Sequence, residues 1–98
     1  MTDHVLTVTS ATVPPESEAA VVDAYRVATS TLPHMVLRTF LAKGDANDWQ
    51  IITLWRSREQ LEAYRRSVDT PAGIKIFREA GAEPTVRVYA VAASGATD

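Results

Sequence analysis

The sequence predicts a small α+β domain with the ferredoxin-like element order β-α-β-β-α-(α)-β and an antiparallel sheet. Three observations carry that prediction. Two alternating stretches, residues 35–43 and 49–55, flank the turn-residue cluster Gly44-Asp45-Ala46-Asn47-Asp48, the signal of an antiparallel hairpin. A β-branched run opens the chain and another closes it. Stretches of helical period with readable starts and stops lie on either side of the hairpin.

Residues 5–13 alternate Val, Thr, Leu and Ala, with β-branched side chains dominant, and read as the first strand. Pro14 and Pro15 end it, because neither can donate to a ladder, and Pro15 suits the start of a helix. Residues 16–30 form the first helix. Glu16 and Glu18 favour the positive end of its dipole, and Val21, Ala24, Tyr25, Ala28 and Leu32 make its apolar stripe, with Asp23 and Arg26 turned away. Leu32-Pro33-His34 breaks the chain, since proline disfavours helix in the residue before it.

The second strand, residues 35–43, places Met35, Leu37, Thr39 and Leu41 on one face and Val36, Arg38, Phe40 and Ala42 on the other. The third places Trp49, Ile51, Thr53 and Trp55 opposite Gln50, Ile52 and Leu54. Ser57 is an N-cap with Gln60 three residues on, a capping box, and the helix runs to about residue 68 with Leu61, Tyr64 and Val68 inward. Glu62 and Arg66 are an i, i+4 pair on its outer face. Thr70 and Pro71 read as a cap followed by proline at the first position of a short helix. That helix carries Ile74, Phe77 and Ala80 inward and ends at Gly81. Residues 86–93 are the last strand and 94–98 a polar tail expected to fray, so the ordered core is expected over about 4–93 of a single domain spanning 1–98.

An antiparallel sheet covered by helices on one face ordinarily shows water a polar second face. Here Ile52 and Leu54 oppose Ile51 and Trp55, and Tyr89 and Val91 oppose Val86, Val88 and Ala90, so both faces are apolar. A second copy of the same sheet is the simplest cover, and a homodimer through the sheet faces is expected.

The bulk properties exclude several function classes. Net charge is −2 and the ten Lys and Arg residues are scattered, which argues against nucleic acid as a partner. The chain has no cysteine, so disulfides, thiolate nucleophiles and cysteine-ligated metals are excluded. Its two histidines, His4 and His34, have no acidic partner at ligand spacing, and no metal site is expected. The amino terminus lacks a signal-peptide pattern and no apolar run approaches a membrane span, so a cytoplasmic protein without membrane association is expected.

The junction from strand to helix, Trp55-Arg56-Ser57-Arg58-Glu59, is followed by Tyr64-Arg65-Arg66-Ser67. With Pro14-Pro15, the Pro33 break and Pro84 through Val91 with Tyr89, it resembles the antibiotic-biosynthesis-monooxygenase (ABM) family of dimeric α/β barrels over residues 5–91. The resemblance implies a ferredoxin-like subunit pairing into a dimeric α/β barrel, with an apolar pocket between sheet and helices. It also implies a cofactor-independent monooxygenase acting on an aromatic or polyketide-like small molecule. Haem-degrading relatives carry an asparagine on strand one, a tryptophan on the following helix and a ligating histidine. Here strand one offers Thr7, Val8 and Thr9, the helix position is Tyr64, and residues 65–81 contain no histidine, so haem is not implied and no cofactor is expected.

Cofactor-independent oxygenation asks for exclusion of water, a flat slot for a ring and a hydrogen bond favouring the enolate or phenolate. Tyr64, Trp55, Arg38 and His34 are the candidate catalytic residues, and Trp49, Phe77, Phe40 and Tyr25 the candidate substrate-binding ones. Each has a plainer role open to it. Trp55 can anchor a helix on the sheet, Tyr64 can satisfy its hydroxyl in the core, Arg38 can pair with a carboxylate, and His34 can be a surface residue. Two other functions stay open: a non-catalytic ligand-binding or dimerisation module, and a cyclase or isomerase using His34 as base, since an imidazole is the side-chain type suited to proton transfer near neutrality.

Overall fold

The computed structural model describes residues 3–96. Met1 and Thr2, and Thr97 and Asp98 of the expected polar tail, lie outside the described residues. Four strands form one antiparallel sheet in the order β2-β3-β1-β4: β1 (Val5–Thr12), β2 (Val36–Lys43), β3 (Asp48–Trp55) and β4 (Thr85–Ala90). A 3-10 turn (Pro15–Ser17) leads into α1 (Glu18–Thr29), and α2 (Arg58–Ser67) and α3 (Ala72–Glu79) follow β3. This is the α+β, ferredoxin-like order that the sequence predicts.

Local chemistry sets most of the boundaries. Ala46 and Asn47 take positive φ (54° and 61°) in the β2–β3 turn, where the backbone must reverse tightly. Ser57 Oγ accepts from the Gln60 backbone N–H at 3.1 Å and starts α2. The reciprocal half of the expected capping box is missing, because Gln60 Oε1 is buried without a partner. Arg65, one turn after Glu62, takes the expected place of Arg66 in the ion pair, at 3.1 Å. At the start of α3 Pro71 occupies the N-cap, so the N-cap residue itself supplies no capping side chain.

The end of α3 is a Schellman motif. Gly81 adopts φ +81°. Its N–H donates to the Arg78 carbonyl at 3.0 Å, and the Ala82 N–H donates to the Phe77 carbonyl at 2.9 Å. Phe77 and Ala82 are then buried together, the apolar contact that accompanies this cap.

Two apolar clusters lie between sheet and helices. The larger holds Phe77, Trp49, Ile51, Ile76, Val13 and Val21, and the smaller holds Val5, Trp55 and Leu61. The opposite sheet face is uncovered. It carries Leu6 and Val8 on β1, Phe40 on β2, Ile52 and Leu54 on β3 and Tyr89 on β4, with Phe40 53% and Tyr89 46% exposed. The chain exposes 6513 Å², against about 5,500 Å² for a compact monomer of its mass.

One expected face assignment is corrected by the register. Val36 pairs with Trp55, but Arg38 pairs with Leu54, so a bulge at Leu37 interrupts β2. The extra residue reverses the alternation. Val36 therefore joins Thr39 and Leu41 under the helices, while Arg38 and Phe40 lie on the uncovered face.

Candidate functional site

Between the two clusters the helix-facing side of the sheet is not apolar. Thr39, Thr53 and Thr7 are successive cross-strand neighbours on β2, β3 and β1, and Thr9 follows Thr7 on the same face. These residues break an otherwise apolar pattern, and although Thr7 and Thr9 are buried, α1, α2 and α3 leave a space against the row. The result is a cavity of about 320 Å³ with the threonines as its floor, a size at the lower end of small-molecule pockets.

Each wall has a local cause. Tyr25 and Ala28 come from the inward stripe of α1, and Leu32 and Pro33 from the break after it. Leu61 and Tyr64 come from the inner face of α2. Gly73 brings α3 close to the sheet, since a Cβ there would stand 3.1 Å from Thr9 Oγ1. Trp55 closes one end, its ring centroid 5.0 Å from that of Tyr64 and tilted by 44°.

The polar groups form short, ordered chains. The Tyr25 hydroxyl donates to Thr39 Oγ1 at 3.2 Å, and Thr39 Oγ1 lies 3.2 Å from Thr53 Oγ1. Trp55 Nε1–H donates to Thr7 Oγ1 at 2.9 Å. The Ala72 N–H donates to the Tyr64 hydroxyl at 3.0 Å, so Tyr64 satisfies the first turn of α3. Arg65 is the one charged side chain in the lining and is already paired with Glu62. No three histidine or carboxylate side chains gather among the described residues.

Of the expected site residues, the structure brings Trp55, Tyr64 and Tyr25 together on the cavity. Trp49 and Phe77 are buried in the larger cluster outside the lining. Trp49 carries an unpartnered indole N–H and the Lys43 ammonium 5.8 Å above its ring. Arg38 and Phe40 point from the other side of the sheet, since they alternate with Thr39 and Leu41 along β2. His34 is exposed in the turn before β2, and its backbone carbonyl accepts from Arg56 Nε at 2.6 Å. Arg38, His34, Phe40, Trp49 and Phe77 are therefore not cavity residues. The threonines are the groups that sequence reasoning passed over. Their signal was present, because Thr7, Thr9, Thr39 and Thr53 all occupy inward positions of alternating strands.

The capping role of Tyr64 has a measurable consequence. Tyr64→Phe leaves the Ala72 N–H without its acceptor and should cost about 1 kcal/mol. Thermal unfolding followed by circular dichroism should then show a melting temperature lower by about 4–8 °C. An unchanged midpoint would remove the hydroxyl from the support of α3.

No protein-family model and no curated protein matches the chain. Solved structures do match over nearly its whole length. A Deinococcus radiodurans protein described as a "putative antibiotic biosynthesis monooxygenase" superposes with a TM-score of 0.71 at 11% identity, covering 96% of this chain and 98% of that one. A Chloroflexus aurantiacus protein of the same description gives 0.66 at 15% identity, covering 95% and 97%. SnoaB from Streptomyces nogalater, a cofactor-independent oxygenase, gives 0.64 at 16% identity, covering 94% and 96%. The chain shares the fold of these proteins. At such identities the likeness extends to the fold and not to the chemistry.

Proposed function

We propose that the chain is a cofactor-independent monooxygenase for a flat aromatic or polyketide-like molecule, bound in the cavity between sheet and helices. The observation that carries this reading is the cavity itself. It is apolar in its walls, hydroxyl-lined in its floor and not plugged by Trp55 or Phe77. The fold shared with SnoaB, named as a cofactor-independent oxygenase, supports the same reading.

The chemistry needs little from the protein. A ring methylene conjugated with a carbonyl loses a proton to solvent water at the cavity mouth, since the lining holds no carboxylate or imidazole among the described residues. The carbanion passes an electron to dioxygen. The radical pair joins as a peroxide, which eliminates water to leave a new ring carbonyl. One oxygen atom enters the product, and the other leaves in water with the two methylene hydrogens. The substrate supplies all the electrons. The chain contributes a slot against Trp55, exclusion of water and hydrogen bonds to the oxygen that gains charge.

A second reading rests on the lining, which among the described residues contains no carboxylate and no imidazole. With no resident base, the same cavity could serve to capture a ligand without turning it over. Oxygen uptake separates the two. Purified protein without added cofactor should consume oxygen on a panel of anthrones and hydroquinones, and Trp55→Phe should lower the rate at least tenfold, about 1.4 kcal/mol of barrier. Absence of uptake across the panel, with ligand still bound, would leave capture as the function.

We also propose a homodimer through the uncovered sheet face. Its centre is Leu6, Val8, Ile52 and Leu54, while Arg38 on edge strand β2 and Arg87 on edge strand β4 supply a charged rim. An apolar centre within a polar rim is the usual anatomy of a stable interface. The surface in excess of that of a compact monomer is consistent with such a partner.

A further inference from the structure

We infer that the cavity floor selects ligands by the direction of their hydrogen bonds, taking a molecule whose buried edge presents acceptor oxygens. This rests on the reading of the cavity as a ligand site and identifies which groups of that site read the ligand.

A hydroxyl has one proton to donate and two lone pairs to accept with. Two hydroxyls of the lining already use their oxygens as acceptors of fixed N–H groups within the protein. Thr7 Oγ1 accepts from the Trp55 indole, and the Tyr64 oxygen accepts from the Ala72 backbone. Thr53 shares one hydrogen bond with Thr39, which already accepts the Tyr25 proton. Thr39 has its own proton to give, and when Thr53 accepts it the Thr53 proton is left for a ligand. Thr7, Thr53 and Tyr64 make no hydrogen bond as donors beyond the Thr39–Thr53 contact, and all three line the cavity. Thr7 and Thr53 are also directly opposite on neighbouring strands, so their side chains are within about 5.5 Å at Cβ.

The site therefore offers donors. Its fixed N–H groups, the Trp55 indole and the Ala72 amide, hold the hydroxyl oxygens and leave the protons free. A ligand edge of carbonyl oxygens meets those protons. An edge of O–H groups meets oxygens with one lone pair already taken, and donating to the second leaves the hydroxyl protons of the floor without an acceptor. A matched dione and diol of one ring system are close in size and shape and differ in whether their oxygens carry protons. A buried mismatch of donors and acceptors discriminates more strongly than a change of shape.

The test uses the full chain under anaerobic conditions with naphthoquinone, naphthohydroquinone and naphthalene, and measures each Kd by isothermal titration calorimetry. The chain contains no cysteine for a quinone to alkylate. The dione should bind at least about tenfold more tightly than the diol, the gain of one to two oriented hydrogen bonds. Thr53→Val and Thr7→Val should each reduce that ratio to within about threefold of unity, and Thr53→Ser should restore it. Naphthalene should bind wild type and variants alike, which reports that the cavity survives the substitution. Equal binding of dione and diol by the wild type would overturn the inference while leaving the ligand site standing. A preference that persists in both valine variants would also overturn it, because other groups would be reading the ligand. Binding of none of the three would overturn the inference and the ligand site together.

Discussion

Phe77→Ala is expected to remove about 3–5 kcal/mol of folding stability, the usual cost of deleting a fully buried phenylalanine. Phe77 is 0% exposed and is among the largest fully buried side chains of the chain. It packs with Trp49, Ile51 and Val21, so it joins α3 and α1 to the centre of the sheet. Its apolar contact with Ala82 also supports the Schellman cap, whose backbone bonds survive the substitution. Domains of this size hold only about 5–15 kcal/mol in total. The variant should therefore lose about a fifth or more of its stability. Urea unfolding at matched protein concentration should show a midpoint lower by about 1 M or more, given slopes of about 1–3 kcal/mol per M. A loss below about 1 kcal/mol would mean that the neighbouring side chains refill the space, and that the larger cluster is not organised around this ring.

Ile52→Asp is expected to convert a dimer into a monomer. Ile52 lies opposite Val8 on β1 and Phe40 on β2, near the middle of the uncovered face. In a two-fold interface each substitution enters twice, so two carboxylates would be buried without partners, at several kcal/mol each. Light scattering should give the wild type twice the 10.7 kDa chain mass, and the variant the chain mass. Far-ultraviolet circular dichroism should stay the same, because the side chain points away from both apolar clusters. A wild type that scatters as a monomer would sink the dimer proposal and leave Phe40 and Tyr89 exposed on the surface for another reason.

Which parts of this molecule were legible in advance depended on the range of the interactions involved. The β2–β3 hairpin was readable because its turn residues and the flanking alternation are neighbours in sequence. The start of α2 at Ser57 and the end of α3 at Gly81 were readable for the same reason, since caps act within one turn. Both apolar sheet faces followed from alternation alone, and Trp55 and Tyr64 reached the cavity because strand period and helix period each point them inward. The face of Val36 was not readable. It depended on one bulged residue, Leu37, which reverses the alternation, brings Val36 under the helices and separates it from Arg38 and Phe40.

The sequence by itself determined the element order, the alternation of β1 and β3, the inward face of α2, and the apolar character of both sheet faces. Those properties reside in residue type and period, which do not change when elements meet. The tertiary structure alone decided that Thr39, Thr53 and Thr7 stand side by side, that Tyr64 caps α3, and that a cavity remains above the threonine row. Each of these joins residues from separate elements. The register of three strands aligns the hydroxyls, and the approach of α3 at Gly73 sets the space left above them. No local pattern encodes either quantity, because both are fixed only when the apolar clusters on each side have packed.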